Sequence, residues 1–213
     1  MNVNEVSIDG VEPITLKEAR RQCYIPVDEV DTDVDMLLSS FIRGARRHGE
    51  GVTWRSLVDK TLELRMDEFP RAYEDTHVKR THGLHRNIIE LPYGPIISVE
   101  SVKYMLNGTE HTVSSSDYTV DTNSTPGRIE PINFWPNTDD VIDAVRIRYK
   151  TGYQDSGGVS NVPDDIKIAL LMMVKFLYDN RDSHVLVERS GEYHEAPIGT
   201  NLILEHNSLS KFA

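Results

Sequence analysis

The chain has 213 residues, of which 38% are hydrophobic and 27% charged, and its 34 acidic and 23 basic residues give a formal net charge of −11. This composition indicates a chain that folds and disfavours tight nucleic-acid binding, which depends on clusters of Lys and Arg. The single cysteine, Cys23, excludes an intramolecular disulfide and a cysteine-built zinc site. The longest apolar run is too short and too charged to span a membrane.

The N-terminal third carries two helical patterns. Thr15 and Glu18 have the spacing of a capping box, which predicts a short first helix. Apolar residues from Val34 to Ala45 then recur at helical spacing, with acids before them and arginines after them, as the helix dipole favours. We expect this second helix to close near Gly49 and Gly51. The arginines at its end are interpreted as solvated or partner-facing: Arg43, Arg46 and Arg47.

The middle of the chain changes to a period of two, which is typical of half-buried strands. Alternation begins at Leu57, and Asn107-Gly108 lies between two extended segments, a strong hairpin signal. We expect about six antiparallel strands, with Trp135 covering a sheet edge rather than stacking on a ligand. Residues 71–86 have no apolar period and are predicted to form an exposed loop.

A third helix is predicted after Pro163, which suits a first helical position, and Asp164 and Asp165 suit its positive end. Its apolar stripe is broad, so more than one of its faces is expected to be covered. The fold class predicted from these patterns is α+β: a small helical bundle with an inserted antiparallel β-rich domain and an extended C-terminal tail. The predicted divisions are 1–54 for the N-terminal helices, 55–153 for the β-rich domain, 154–182 for the long helix and 183–213 for the tail.

Motifs of catalysis and cofactor binding are sparse. The phosphate-binding glycine loops and the G-x-S-x-G nucleophile motif do not occur. His77, His82 and His85 fall in an H-x4-H-x2-H pattern, and imidazoles at such spacing are able to ligate a transition metal. We interpret them as exposed loop histidines, and we predict no catalytic residue, no metal and no cofactor. A metal-dependent hydrolase using these three histidines, and a monomeric adaptor that binds another protein, remain alternative hypotheses.

The order of several segments resembles the head-tail connector (adaptor) family of tailed bacteriophages and gene transfer agents. The segments are ITLKEAR, DTDVDMLLSSFIRGARRHGE, TLELRMDEFP, IIELPYGPIISVESVKY, SDYTVDTNSTPGRIEP, VRIRYKTGY and VPDDIKIALLMMVKFLYDNRD, and together they span residues 14–182. The sequence departs from the family's pattern in the histidine-rich segment 71–86 and in its weakly matching tail.

The resemblance implies a structural virion protein at the neck, without catalysis, made in the host cytoplasm. It implies a ring of twelve copies beneath the portal protein, with a downstream tail or head-closure protein as a second partner. It also implies passage of double-stranded DNA through the central channel and no membrane contact. The family's C-terminal tail docks on the portal. Here this maps onto the apolar residues of the tail: Ile198, Leu202, Leu204, Leu209 and Phe212.

Overall fold

The structure is a computed structural model that describes residues 2–28, 31–70, 87–181 and 198–209. It is a mixed α+β protein made of two compact units, which confirms the predicted class. The described parts of residues 10–58 and 153–213 form the helical unit, and those of residues 1–9 and 59–152 form the β unit.

The helical unit contains four helices among its described residues. They are α1 (Leu16–Gln22), α2 (Thr32–Thr53), α3 (Asp164–Asp179) and α4 (Ile198–His206). Two short strands, β9 (Asp155–Ser156) and β10 (Val159–Ser160), precede α3. None of the described helices is long and apolar enough to cross a bilayer.

Local signals at the helix starts act as the sequence predicts. The Thr15 hydroxyl accepts a hydrogen bond from the Glu18 amide at 3.2 Å, and the Glu18 carboxylate accepts one from the Thr15 amide at 2.7 Å. This confirms the capping box at α1. Asp31 caps α2 through the amides of Asp33 and Val34. Pro163 is the residue before α3 rather than its first residue.

Helix α2 continues beyond the two glycines at which the sequence predicts its end. It closes at Trp54, whose φ of 54° is left-handed. Gly49 is required for packing instead, because a Cβ there would lie 2.9 Å from Leu170 Cδ2 and 3.2 Å from Leu57 Cδ1. Its missing side chain therefore lets α3 approach α2 closely.

The arginine cluster of α2 is not uniformly solvated, contrary to the sequence prediction. Arg46 is only 2% exposed, donates to Glu12 at 2.9 Å and to Glu50 at 3.1 Å, and so is a buried structural residue. The other oxygen of Glu50 accepts from the Leu57 amide at 2.9 Å. This network ties α2 to the segments before and after it, which is how a buried charge becomes tolerable.

Within the predicted tail, residues 198–206 form a helix, α4. Leu204 is fully buried and Leu209 nearly so, within the core that the other helices build. The Leu209 amide donates to the Thr53 carbonyl at 2.9 Å, and Asn207 donates to Asp165 at 2.7 Å. Apolar side chains and these hydrogen bonds thus hold α4 on the helical unit.

The described residues of the β unit form eight strands in two sheets. The strands are β1 (Asn2–Ile8), β2 (Lys60–Met66), β3 (Ile89–Leu91), β4 (Ile96–Leu106), β5 (Thr109–Thr112), β6 (Tyr118–Asp121), β7 (Gly127–Pro131) and β8 (Val145–Thr151). The five-stranded sheet has the order β1-β2-β8-β4-β5, and the three-stranded sheet has the order β3-β7-β6; every pairing is antiparallel. Strand β1 belongs to this unit, although the sequence predicts residues 1–54 as part of the helical core.

The hairpin predicted at Asn107-Gly108 is confirmed. Leu106 pairs with Thr109, and both loop residues have positive φ, 53° and 70°. The hairpin has an additional support that no local sequence signal indicates: the Asp139 carboxylate accepts hydrogen bonds from both loop amides, each at 2.8 Å. A charged acceptor of this kind holds the hairpin against the segment that precedes β8.

Candidate interaction surfaces

The predicted portal-binding residues do not form one exposed surface. Leu204 and Leu209 are buried, so neither side chain offers an exposed docking surface, and Leu204 belongs to the helical core. Leu202, on the outer side of α4, is 61% exposed. Ile198 begins α4, but its side chain and the whole of Phe212 lie outside the described residues.

The five-stranded sheet has one apolar and one charged face. Residues of β8 alternate between buried Val145, Ile147 and Tyr149 and the basic row, which we define as Arg146, Arg148 and Lys150. The pairing register places Arg65 of β2 and Lys103 of β4 on the same face. Five cations therefore gather on one surface of a chain whose net charge is −11.

Carboxylates lie among these cations. Glu63 lies on β2 opposite Arg148 of β8, and its carboxylate accepts from Arg65 at 2.7 Å and from Arg148 at 3.0 Å. Burial by itself raises the pKa of Glu63, but the two arginine hydrogen bonds outweigh it and hold that pKa below its usual value. Lys103 pairs with Glu110 at 2.8 Å. Arg65 also pairs with Asp143, Arg146 with Glu110 and Lys150 with Asp9. The face is therefore a network of five cations and four carboxylates, not a plain basic patch.

A second surface is the tip loop, defined as residues 132–143. The loop joins β7 to β8 at the end of the sheet where β8 begins and β2 ends, opposite the points at which the chain leaves the β unit. Phe134 is 81% exposed and Ile142 85% exposed, and Ile132 and Val141 are also exposed. Exposed apolar side chains this dense are a feature of interaction sites.

The tip loop is held in place by defined contacts. Trp135 stacks on Phe69 with ring centroids 4.7 Å apart, and its indole donates to the Asn87 carbonyl at 2.6 Å. Asp139 bonds the hairpin amides, and the Asp143 amide donates to Asp67 at 3.0 Å. Trp135 thus covers the edge of the core, as the sequence predicts, while its neighbour Phe134 faces outward.

An open hollow of about 480 Å³ lies beside Phe134. Aromatic walls come from Tyr104, Phe134 and Trp135, and an acidic group comes from Asp117 at its edge. The Asp117 carboxylate accepts from the Ser116 hydroxyl at 3.2 Å. Aromatic faces next to a carboxylate form a setting that suits a cation.

The candidate metal ligands His77, His82 and His85 lie outside the described residues. Within the described ranges, no three His, Cys, Asp or Glu side chains are grouped so as to hold a metal ion. Cys23 is buried at the end of α1, and burial raises the pKa of its thiol.

No protein-family model matches the chain. No curated protein matches it either. Solved structures do share its fold. A chain from the virion of a native gene transfer agent particle matches with a TM-score of 0.73 and 18% identity, over 100% of this chain and 98% of that one.

Two neck structures of gene transfer agent particles give the same result. A chain of an empty-particle neck computed with C6 symmetry has a TM-score of 0.68 and 17% identity; a chain of a native-particle neck computed with C12 symmetry has 0.66 and 19%. Each match covers 100% of this chain and 98% of the other. The family resemblance seen in the sequence is thus supported by a shared fold over the whole chain.

Proposed function

We propose that this protein is a structural subunit of a virion neck: an adaptor that forms a ring beneath the portal and links the capsid to the tail. The observation that carries the proposal is the shared fold, over the full length of both chains, with chains from gene transfer agent necks. The order of sequence segments over residues 14–182 supports it independently. The role is structural and assigns no catalytic residue.

The proposed assembly is a cyclic ring, with twelve copies as the number that the C12 neck favours. Its subunit would be a helical bundle with an inserted β-rich domain, to which the first strand of the chain also contributes. A net charge of −11 suits a channel through which double-stranded DNA passes, because like charges limit adhesion of the phosphates. The proposed partners are the portal on one side and a tail or head-closure protein on the other.

For the portal contact we propose the exposed side of α4, with Leu202 as its best-placed described residue. Leu204 and Leu209 are excluded as docking residues, because their side chains are already buried. Deleting the whole tail is therefore a poor test, since the deletion would also remove core residues. Ile198 and Phe212 stay candidates for the same contact.

A point variant separates docking from folding. We expect the wild-type protein to cosediment with purified portal rings and Leu202→Glu to lose that binding while keeping its melting temperature, because an exposed position tolerates a charge. Ile168→Glu is the matched control: Ile168 is 53% exposed on α3 of the same unit. A wild-type chain that never binds portal rings would refute the adaptor function, and a Leu202→Glu variant that binds normally would refute only the α4 contact.

A further inference from the structure

The hollow in the tip loop has the chemistry of a binding site for an arginine side chain. Tyr104, Phe134 and Trp135 supply aromatic surface, and Asp117 supplies a carboxylate at the edge. A guanidinium is planar, stacks on aromatic rings and donates in a fork that matches a carboxylate, whereas a lysine ammonium does only part of this. The volume of about 480 Å³ accommodates such a side chain.

The charge of the hollow limits the kind of molecule that supplies the arginine. The lining of the hollow includes one exposed carboxylate, that of Asp117, which disfavours nucleic acid or an anionic lipid surface as occupant. The complementary surface is present on the chain itself. The charged face of the five-stranded sheet carries the basic row, and Arg148 is the most exposed of its three side chains, at 45%.

We propose that Arg148 of one copy inserts into the tip-loop hollow of the next copy. This inference rests on the proposed function, because it supplies a contact between neighbours in the ring. A cyclic ring requires a heterologous interface, in which two different surfaces of the same chain meet. The tip loop and the basic row are two such surfaces: the tip loop is apolar with an acidic group at its hollow, and the basic row carries the cations.

The insertion leaves no buried charge unpaired. Arg148 now pairs with Glu63 at 3.0 Å, but Glu63 also holds Arg65 at 2.7 Å and would keep that partner. The Arg148–Glu63 pair is part-buried, with Arg148 45% and Glu63 10% exposed, so the exchange removes one of the two arginine partners of Glu63 and leaves the other in place. A stable interface buries about 800 Å² on each partner, so Arg148 anchors a wider contact, which the exposed Ile132, Val141 and Ile142 extend.

Charge reversal tests the pairing directly. Copies per assembly are counted by sedimentation velocity and mass photometry, on the chain alone over a concentration series and on the chain mixed with purified portal rings. We expect Asp117→Arg and Arg148→Asp each to weaken association between copies by about tenfold or more. The double variant, which exchanges the two charges, should regain most of the lost association.

Two control variants match these changes. Asp140→Arg reverses another exposed acid of the tip loop that does not line the hollow, and Arg128→Asp reverses an arginine of similar exposure on β7. Both variants should associate within about twofold of wild type, because a charge at the rim of an interface has only a small effect on affinity. Melting temperatures of all variants show whether they fold.

A second readout reports on the hollow itself. In a Trp54→Phe background Trp135 is the remaining tryptophan, so its emission should change as copies associate and stay constant in Arg148→Asp. Multimers that form equally well in both single variants would overturn the inference and leave the adaptor function standing. A wild-type chain that forms no multimers, alone or with portal rings, would overturn both.

Discussion

Replacing Leu204 by alanine tests whether α4 is part of the helical core. Leu204 is fully buried, and its Cδ2 lies 3.7 Å from the point where a Cβ on Gly49 would be. Truncating a fully buried leucine costs about 2–5 kcal/mol, and the cost is larger where the surroundings do not collapse into the space. Because the backbone of α2 borders this site, we expect the alanine variant to lose about 3 kcal/mol in free energy of unfolding. This loss corresponds to a fall of about 6 to 12 °C in melting temperature.

The two tryptophans allow each unit to be followed separately. Trp54 lies in the helical unit and Trp135 in the β unit. Urea unfolding in a Trp135→Phe background should show a lower midpoint for Leu204→Ala at Trp54, because that signal belongs to the unit that loses the packing. Leu202→Ala, at an exposed position of the same helix, should stay within about 0.5 kcal/mol of its parent. Equal, small losses in the two variants would refute the packing of α4 on the core.

Two further changes test other parts of the fold. Gly49→Ala should lower the melting temperature, because the new Cβ would lie 2.9 Å from Leu170 and overpacking costs about 1–3 kcal/mol. Gly44→Ala is the control: nothing lies within 4 Å of its Cβ, so the free energy of unfolding should rise by up to about 1 kcal/mol. Equal stabilisation in both would contradict the close approach of α3 to α2. The Arg128 side chain donates to Asp121 at 2.7 Å and holds the pKa of that carboxyl well below its usual range. The stability that the ionised Asp121 carboxylate contributes is therefore present above the unfolded pKa of about 3.9 and is lost as pH falls towards the folded pKa. Asp121→Asn should thus be less stable than wild type at neutral pH, and the gap between the two free energies of unfolding should narrow in acid. Urea unfolding at pH 7 and pH 3 measures that gap, and a gap that does not change with pH would argue against the ion pair.

The sequence predicted those elements whose signals lie within a few residues of each other. The capping box of Thr15 and Glu18 starts α1, and Asn107-Gly108 makes the tight hairpin, because both depend on hydrogen bonds and dihedral angles of neighbouring residues. The apolar spacing of α3 likewise predicted its buried side, with Ile166 and Leu170 in the core. The charged face of the sheet was not predicted, although the alternation R-x-R-x-K in residues 146–150 points three cations the same way in a strand.

Tertiary structure alone decided which of several equivalent residues is buried. Arg46 is internal because Glu12 and Glu50 meet it there. Glu50 lies at i+4 on the same helix, but Glu12 lies 34 residues away in sequence and is brought to Arg46 only by packing. Leu202 and Leu204 are two positions apart on one helix, yet only the second contacts the core.

The amino-acid sequence by itself determined the fold class, the starts of the main helices, the hairpin and the likeness to neck connectors. Only the tertiary structure shows where the tail residues pack, that Arg46 is buried, and that a hollow lies between Phe134 and Asp117. Each of these depends on segments far apart in sequence. Burial and electrostatic pairing are properties of surfaces that exist only after such segments have packed together.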